Sequence, residues 1–458
     1  MDDQNFKDFE ILAGYMPSQF YIELHSPFFQ KPAAGELIKL NPQNCPVFLH
    51  EVGHSVQDRA TYRGVIDFLD SWDRAFAVAD YIRESDGEIS IPIVDLKTGQ
   101  LRINPKYRWA LETDLLRSFR EPRICWESKG RYWKYQGYEV QEVESRLDGR
   151  RVKVPVVTVN FVEEKSGDEY KHPLGAWEIK EAYSVAIGYV HGCEPKEFGI
   201  HEFQYLAVER ILGSIFGAVS PQQTIAICHW ALQELSPAYT FFQIIEHFEK
   251  SNQLPDAESI YDWARNEAMD RGFKQKIENV LSDIKKYSEV YGQRAPVLGG
   301  VFAWYLEHTG ELLKKHLDTI KRFPLDTLLC NSIDWNEGEE HVTNKLKNFF
   351  IEVEVPLIVW PDGECYSIKT TGELTVRSVF LNRAMLETIS KLWMGRNATW
   401  TCPIYNACEH PCKNDNICLT KPWHQADQVQ QCPYGAAAKL IGLSGKHSLK
   451  YKPFTELD

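Results

Sequence analysis

The segment from Asn44 to Ala60 places the tightest constraint on the fold, because it predicts one helix with two histidines on the same face. Pro46 suits the first helical turn, where its missing N–H group has no intrahelical partner to lose. Residues four apart lie one turn apart on a helix, so the imidazoles of His50 and His54 can reach a single ion. The chain therefore has to fold around a helix that presents a candidate metal pair and an apolar face. That face consists of apolar or small residues at Val47, Leu49, Val52, Val56 and Ala60.

The residues around the two histidines complete the pattern HExxH, in which Glu51 directly follows the first histidine. A glutamate at this position projects to the side where a water molecule would bind and can act as its general base. Val52 and Gly53 carry neither charge nor proline. A helix with two surface histidines is the alternative, but the apolar face and the proline start favour a metal site. Zinc suits such ligands, so the motif predicts His50 and His54 as zinc ligands and Glu51 as the catalytic residue.

The third ligand has to come from elsewhere in the chain. No third histidine follows His54 in the arrangement of the metzincin branch, so a distant glutamate is needed. Glu178 and Glu181 both lie on the helix predicted from Leu174 onward. The Glu-Ala-Tyr sequence that begins at Glu181 resembles the second metal-binding helix of gluzincins, a branch of the zincin metallopeptidases. This resemblance implies Glu181 as the ligand. Glu178, one turn earlier on nearly the same face, is the alternative ligand or a supporting residue.

The chain departs from the gluzincin pattern in the support that it offers to the histidines. Val185 stands four residues after Glu181, where an aspartate is usual, and the sequence between His54 and Glu181 is unusually long. Some group must accept the second ring N–H of a ligating histidine, and Asp58, one turn after His54, is a candidate. The other interpretation of Asp58 is an exposed charge at the far end of the helix. Nearby residues that could donate to a developing oxyanion are Tyr183, Tyr189, His191 and His201.

The resemblance covers about residues 19–62 and 174–190, and Gln57 extends the motif to HE-x-x-H-x-x-Q, as in uncharacterised bacterial HExxH proteins. It implies a zincin-like fold and a zinc metallopeptidase that hydrolyses peptide bonds of a protein or peptide substrate. In that reaction zinc polarises the carbonyl group, and Glu51 takes a proton from the attacking water. Two other functions stay open. One is an iron–sulfur redox protein organised around the C-terminal cysteines, and the other is a zincin-fold binding protein without catalytic activity.

A second group of metal-binding residue types lies near the C-terminus. Five of the 11 cysteines fall close together in a Pro- and Asn-rich segment that has few side chains from which to build a core. A metal would supply the missing cohesion, and His410 and His424 offer further ligands. The spacing differs from that of a paired-CxxC ribbon, so a structural zinc is the first expectation, while an iron–sulfur cluster and unligated thiols stay open. The five are Cys402, Cys408, Cys412, Cys418 and Cys432.

The hydropathy pattern along the 458 residues predicts an α+β fold. Runs of β-branched and aromatic residues fill about 88–170, which we expect to form a β-rich insertion. Helical periodicity resumes at about 174 and continues to about 322. We therefore predict a mainly helical, zincin-like domain over residues 1–322 and a smaller Cys-rich unit over 323–458. Breaks in the helical stretch are expected near His191-Gly192, Ser220-Pro221, Ser236-Pro237 and Leu254-Pro255.

Charge and composition narrow the range of partners and compartments. The chain carries 51 basic and 64 acidic residues, and its net charge of −13 repels phosphate backbones and anionic membranes, so we expect no nucleic-acid partner. No apolar run approaches the ~20 residues of a membrane span, and the acidic N-terminus lacks the basic start of a secretory signal. An odd number of cysteines in such a chain favours reduced thiols. We expect a cytoplasmic protein that does not span a membrane, with its oligomeric state left open.

Overall fold

The computed structural model shows a mixed fold in which helices dominate and small sheets lie among them, so the predicted α+β class is confirmed. The structure describes residues 13–16, 21–25, 28–32, 38–95, 100–102, 133–147, 150–192, 202–250, 253–294, 296–318, 320–360, 365–366, 376–395, 400–403, 405, 408, 410–430 and 432–452.

Helices and strands are numbered along these described residues. The helices are α1 (Cys45–Ala60), α2 (Tyr62–Glu84), α3 (Ala176–Val190), α4 (Glu202–Phe216), α5 (Pro221–Ala231), α6 (Pro237–Glu249), α7 (Ala257–Asp270), α8 (Phe273–Arg294), α9 (Pro296–Lys315), α10 (Glu339–Val353), α11 (Val376–Met394), α12 (Asp415–Cys418) and α13 (Pro433–Leu440). The strands are β1 (Ala13–Met16), β2 (Tyr21–Leu24), β3 (Glu88–Ile91), β4 (Val94–Asp95), β5 (Gln100–Leu101), β6 (Trp133–Leu147), β7 (Arg150–Glu163), β8 (Glu169–Leu174), β9 (Leu357–Val359), β10 (Cys365–Tyr366) and β11 (Ser448–Tyr451). Short 3-10 helices span Trp335–Glu337 and Pro422–Asp427.

Segments from the two ends of the chain share sheets. The four-stranded sheet has the order β1-β2-β9-β10, in which β2 is antiparallel to β1 and parallel to β9. β3 pairs in parallel with β11, so Glu88–Ile91 lies beside Ser448–Tyr451. Both β9 and β11 belong to the region predicted as a separate C-terminal unit. Strand pairing thus crosses the predicted boundary after residue 322, and the division into domains stays a prediction.

Strands make up most of the described part of the region that we expected to be β-rich. β6 and β7 form a long antiparallel hairpin, and β8 pairs with β7 as a third strand. Val157, Val159 and Phe161 alternate toward the interior along β7, as period-two patterning requires. Residues 103–132 lie outside the described residues. The three-stranded sheet ends at Leu174, directly before α3.

α1 is the helix around which the core is arranged. It packs against α2, α3, α9 and β1, and all of its residues except Val47 and His54 are buried. Even its arginine is inside: the Nη2 atom of Arg59 donates to Oγ of Ser55 at 3.0 Å and to the carbonyl oxygen of Val353 at 2.9 Å. These bonds offset the loss of water around a buried guanidinium group. The helix is therefore buried on more sides than its apolar face alone predicts.

Local hydrogen bonds explain where α1 begins and ends. Before the helix, Oδ1 of Asn41 accepts the backbone N–H of Asn44 at 3.0 Å, which closes the predicted turn. After the helix, the hydroxyl of Thr61 donates to the carbonyl oxygen of Gln57 at 2.6 Å and accepts the N–H of Gly64 at 3.1 Å. Thr61 thus ends α1 and caps α2, so the two helices meet at a sharp corner.

The described residues contain no single helix that is both long and apolar enough to cross a membrane. One bent pair, Tyr205–Phe216 with Pro221–Ala231, meets the length and composition criteria together, with a bend of 112° between its halves.

We expect Gly64→Ala to destabilise the protein by about 1–3 kcal/mol, because the corner between α1 and α2 has no room for a methyl group. A Cβ atom at this position would lie 2.3 Å from the carbonyl oxygen of Gln57 and 2.5 Å from Cα of Asp58. The matched control is Gly213→Ala in α4, where the added atom meets open space and should raise stability by up to about 1 kcal/mol. Thermal and denaturant unfolding measure both variants, and equal stability of the two would contradict this account of the corner.

Candidate metal centre

The structure brings His50, His54 and Glu181 together in one buried cluster. The Nε2 atoms of the two histidines, both on α1, lie 3.2 Å apart. The Oε2 atom of Glu181, on α3, lies 3.3 Å from Nε2 of His54 and 3.8 Å from Nε2 of His50. Within the described ranges, this is the one group of three or more His, Cys, Asp or Glu side chains whose ligand atoms all lie within 4.8 Å of one another.

Small side chains at the crossing of α1 and α3 allow the ligand atoms of the two helices to come this close. A Cβ atom built on Gly53 would lie 2.6 Å from Cδ1 of Ile187 and 3.1 Å from Oγ of Ser184. Gly53 directly precedes His54, and Ser184 lies three residues after Glu181 on the same face of α3. The two helices therefore approach each other closely next to the cluster. A larger side chain at Gly53 would push α3 away and separate Glu181 from the histidines.

The donor set and its dimensions fit a tetrahedral metal site. Zinc binds imidazole nitrogen and carboxylate oxygen at about 2.0–2.1 Å, which puts neighbouring ligand atoms of a tetrahedron about 3.3–3.4 Å apart. The three observed separations of 3.2, 3.3 and 3.8 Å bracket this value. Three protein ligands leave a fourth position for water or substrate, which distinguishes catalytic zinc sites from structural ones. The cluster could therefore hold a metal ion with one position open.

Gln57 orients the imidazole of His54. Its Oε1 atom lies 3.3 Å from Nδ1 of His54, and its Nε2 atom donates to the carbonyl oxygen of Lys180 at 2.9 Å and to Oγ of Ser184 at 3.1 Å. Because the amide nitrogen serves these two acceptors on α3, the amide oxygen faces His54 and assigns the ring proton to Nδ1. Nε2 of His54 then points a lone pair at the cluster, which is the tautomer that a metal ligand requires.

Burial and mutual charge decide the protonation of the histidines. Burial, followed by the neighbouring His54, lowers the pKa of His50 to about 3, so this ring is neutral. Burial also opposes a charge on His54, but the carboxylate of Glu181, together with Glu51 and Gln57, raises the pKa of His54 to about 9. The cluster thus favours one positive charge beside Glu181. A bound metal ion would supply that charge and displace the proton.

Glu51 lies beside the cluster and is held by the backbone of β1. Its Oε2 atom accepts the N–H of Tyr15 at 2.6 Å, and β1 is the edge strand of the four-stranded sheet. Burial raises the pKa of Glu51 to about 7, although His54 and the Tyr15 N–H act in the opposite direction. A carboxyl group that titrates near neutrality is suited to accept a proton and return it.

The carboxylate of Asp58 forms part of a partly buried ion group instead of supporting a ligand. Nζ of Lys180 lies 3.0 Å from Oδ1 of Asp58 and 3.0 Å from Oδ2 of Asp67. The three side chains come from α1, α2 and α3, so their charges join the helices that carry the cluster. From the sequence, Asp58 was either a candidate to accept the ring N–H of His54 or an exposed charge. The structure buries Asp58, and the residue that contacts this nitrogen is Gln57.

Glu178, the alternative ligand, caps α3 instead of facing the histidines. Its Oε2 atom accepts the backbone N–H of Gly175 at 2.8 Å, and its Oε1 atom lies 3.7 Å from Nε2 of His172. The carboxylate stands at the N-terminus of the helix, where a negative charge is favourable. Of the two glutamates considered from the sequence, Glu181 is the one that the structure places in the cluster.

Of the residues predicted to stabilise an oxyanion, Tyr189 and His191 have other hydrogen-bond partners, Tyr183 is buried in the core, and His201 lies outside the described residues. The ring of Tyr183 is buried with its centroid 6.0 Å from that of His229, the hydroxyl of Tyr189 donates to Glu209 at 3.3 Å, and Nε2 of His191 donates to the carbonyl oxygen of Leu328 at 2.7 Å. Burial raises the pKa of Tyr183 well above its usual value. The structure brings none of these three described residues into the group formed by His50, His54 and Glu181.

Three supporting features were missed from the sequence: the hydroxyl of Ser184, the amine of Lys180 and the backbone N–H of Tyr15. A signal existed for two of them, because Lys180 directly precedes the predicted ligand Glu181 and Ser184 lies one turn after it on the same helix. No sequence signal points to Tyr15, since every residue except proline has the same N–H group. Gln57 was recognised as part of the motif, but its contact with His54 was not.

The five C-terminal cysteines are free thiols in the structure, with Cys402, Cys418 and Cys432 buried and Cys408 and Cys412 half-buried. Their described contacts are pairwise: for example, Nδ1 of His410 lies 2.9 Å from Sγ of Cys412. The expected second metal therefore stays a prediction at this point.

Comparison of the chain with protein-family models, with curated proteins and with solved structures finds no match. Function has to be read from the site itself.

Replacing Glu181 by glutamine should weaken zinc binding by more than the roughly 10–100-fold that loss of a supporting residue produces, because a neutral amide is a poor zinc ligand. Glu178→Gln is the matched control on the same helix, and zinc affinity should not change because glutamine can still cap α3. Competition with a chromophoric chelator measures both affinities. If Glu178→Gln releases zinc while Glu181→Gln retains it, the ligand assignment is reversed.

A second pair of variants separates the roles of Gln57 and Asp58. Gln57→Ala should lower zinc affinity roughly 10–100-fold, because His54 loses the group that fixes its tautomer. Asp58→Asn should keep that affinity and lower stability by about 1–3 kcal/mol, because Lys180 loses the charge of its buried carboxylate partner. Zinc competition and thermal unfolding on both variants give the two readouts. A large loss of zinc affinity in Asp58→Asn alone would restore the role first expected for it.

Proposed function

We propose that this chain is a zinc-dependent peptidase of the zincin type, with His50, His54 and Glu181 as zinc ligands and Glu51 as general base. The observation that carries the proposal is the cluster itself: three ligand atoms with separations of 3.2–3.8 Å, next to a buried carboxyl group whose pKa is raised to about 7. Zinc is favoured over other ions because the donors are two imidazoles and one carboxylate in a site with an open position.

Each group in the site has its own role in the proposed hydrolysis. Zinc, when bound, would act as a Lewis acid toward the carbonyl group and the attacking water. Glu51 accepts the proton of that water and passes it on to the leaving amine. The Tyr15 N–H holds Oε2 of Glu51, so Oε1 is the oxygen assigned to proton transfer. Gln57 keeps the imidazole of His54 in the tautomer and orientation that ligation needs.

The choice of a peptide bond rests on the HExxH motif and its resemblance to zincin metallopeptidases. Substrate would approach from the side of His54, whose side chain is 16% exposed, compared with 8% for His50 and 5% for Glu181. We propose a protein or peptide substrate on this basis. We also propose action in the cytoplasm, because the described cysteines, including the five C-terminal ones, are free thiols.

A second candidate function, metal binding without catalysis, is favoured by one specific contact. The 2.6 Å bond from the Tyr15 N–H engages the carboxylate that has to accept the proton, and Glu51 is 8% exposed. In this alternative, the bond and the burial together keep Glu51 from reaching a water molecule, and the chain serves as a binding module. The two functions differ in one observable, which is cleavage of a partner by the metal-loaded protein.

Glu51→Gln should retain zinc and lose at least about 100-fold in turnover, because the amide can still accept the Tyr15 N–H but cannot take a proton from water. A proteome-wide search for new N-termini, comparing wild type with Glu51→Gln, identifies the substrate without a prior guess. The matched control is Glu142→Gln, an exposed residue of β6 that pairs with Lys153 and should leave cleavage unchanged.

Two outcomes would reject the peptidase proposal. One is cleavage of a confirmed substrate by Glu51→Gln at the wild-type rate, which would remove the assigned mechanism. The other is zinc-loaded wild-type protein that generates no new N-termini, which would support the binding module instead.

A further inference from the structure

Two histidines outside the candidate metal centre face each other inside the helical body. His229 lies in α5, and His316 directly follows α9. Their Nε2 atoms are 2.6 Å apart, their rings stack with centroids 4.8 Å apart, and both residues are fully buried. The proposed hydrolysis uses neither of them. The rings that surround this histidine pair are those of Trp230, Tyr261, Phe273 and Phe323.

The hydrogen bonds around the histidine pair fix the positions of its protons. Nδ1 of His316 lies 3.1 Å from the carbonyl oxygen of Leu313, which can only accept, so this nitrogen carries the ring proton. Nε2 of His316 therefore presents a lone pair, and Nε2 of His229 donates to it. In this arrangement both rings are neutral, and one proton lies between the two Nε2 atoms.

Gln233 links the histidine pair to the helix that carries the candidate zinc ligands. Its Nε2 atom lies 3.4 Å from Nε2 of each histidine. The same nitrogen donates to the carbonyl oxygen of Ala60 at 3.1 Å, and Oε1 of Gln233 accepts the backbone N–H of Tyr62 at 3.0 Å. Ala60 ends α1 and Tyr62 begins α2. Gln233 therefore holds the corner between these two helices against the end of α5.

The histidine pair has no favourable place for an additional proton. A proton on Nε2 of His316 would face two donors, the ring N–H of His229 and the amide N–H of Gln233. A proton on Nδ1 of His229 would be buried at an atom that has no hydrogen-bond partner among the described residues. A buried charge without a partner is unfavourable, so protonation at either atom favours separation of the two rings.

The groups that face the histidine pair do not supply a compensating negative charge. The neighbouring titratable side chains are Tyr183 of α3, Tyr261 of α7 and Cys228 of α5, and burial raises the pKa of all three, so they stay neutral. Two cations lie nearby, because Lys315 directly precedes the second histidine and Lys276 of α8 donates to the carbonyl oxygen of Gln233 at 2.9 Å. On α6, which also packs on α5, the exposed titratable side chains are Glu246, His247 and Glu249.

We propose that His229 and His316 form an acid-sensitive contact that holds the corner between α1 and α2 at neutral pH and releases it when the pair takes up a proton. Separation of the rings would remove the acceptor that faces the amide of Gln233, and the bonds from this amide to the corner would open with it. Acid would thereby loosen the end of the helix that carries the candidate zinc ligands. The inference is independent of the proposed peptidase function, because the contact includes no residue of the metal cluster.

The direction of the pH effect follows from the two rings. Burial lowers the pKa of His316 to about 4, and burial together with His316 lowers the pKa of His229 well below its usual value. In an unfolded or opened chain, these rings take up protons near about pH 6.5. The stability that the contact contributes is therefore complete above about pH 6.5 and is lost as the pH falls from there toward about 4.

Hydrogen exchange of the full chain, corrected for the intrinsic exchange rate, tests the proposal. The probe is the backbone N–H of Tyr62, because its acceptor is the amide oxygen of Gln233. Its protection should fall by about 50-fold or more between about pH 7 and about pH 4.5, because the opened pair binds protons that the closed pair does not. The double variant His229→Phe, His316→Phe keeps two stacked rings without titrating nitrogens and should show the same protection at both pH values.

His247→Phe is the matched control. This exposed histidine of α6 stacks on Trp263 with ring centroids 4.0 Å apart, so its replacement should leave the pH dependence of wild type unchanged. The backbone of α11 serves as an internal reference and should stay protected throughout, which distinguishes opening of the corner from unfolding of the whole chain.

Three results would overturn the proposal. Constant protection of Tyr62 in wild type over this pH range would show that acid does not open the corner. An equal loss of protection in wild type and in the double variant would assign the effect to other groups. Simultaneous loss at Tyr62 and in α11 would show unfolding of the whole chain instead of a local release. The wild-type comparison of Tyr62 with α11 decides the question even if the double variant fails to fold.

Discussion

The close packing of α1 on α3 is the interaction on which the rest of the structure depends. Gly53 and Ser184 let the two helix backbones approach, and the same approach sets Oε2 of Glu181 at 3.3 Å from Nε2 of His54. A site made of residues from two helices is only as well defined as their crossing. Rigid packing at this point therefore gives geometric precision to the candidate ligands, which loops would supply less well.

Buried polar groups around that crossing would be unfavourable without partners, and the chain provides partners on each side. Lys180 joins Asp58 and Asp67, while Gln57 links His54 to the backbone of α3. Unpaired charges in such an environment would cost several kcal/mol each. The two networks therefore have different roles. The ion group of Lys180 holds α1, α2 and α3 together, and Gln57 orients the candidate ligand His54.

The two ends of the chain add strands and helices to the same core instead of forming separate layers. β9 extends the sheet whose edge strand, β1, supplies the N–H that holds Glu51, and β11 pairs with β3. Near the C-terminus, α13 packs on α11. Stability at the C-terminus and geometry at the His50 cluster are thus connected through α11, which contacts α2, and α2 contacts α1.

The sequence by itself determined what local periodicity and backbone chemistry specify: the α+β class, the helix that carries the two histidines, and helix starts at Pro221 and Pro237. Tertiary structure decided which carboxylate joins the histidines and which residue supports them. Successive residues on a helix point about 100° apart, so Glu178 and Glu181, three residues apart, point only about 60° from each other, and sequence spacing alone cannot rank them. Sequence spacing likewise cannot decide whether Gln57 or Asp58 supports His54. It depends on which face of α1 meets α3, and that face is set by steric contacts between residues more than a hundred positions apart in the chain.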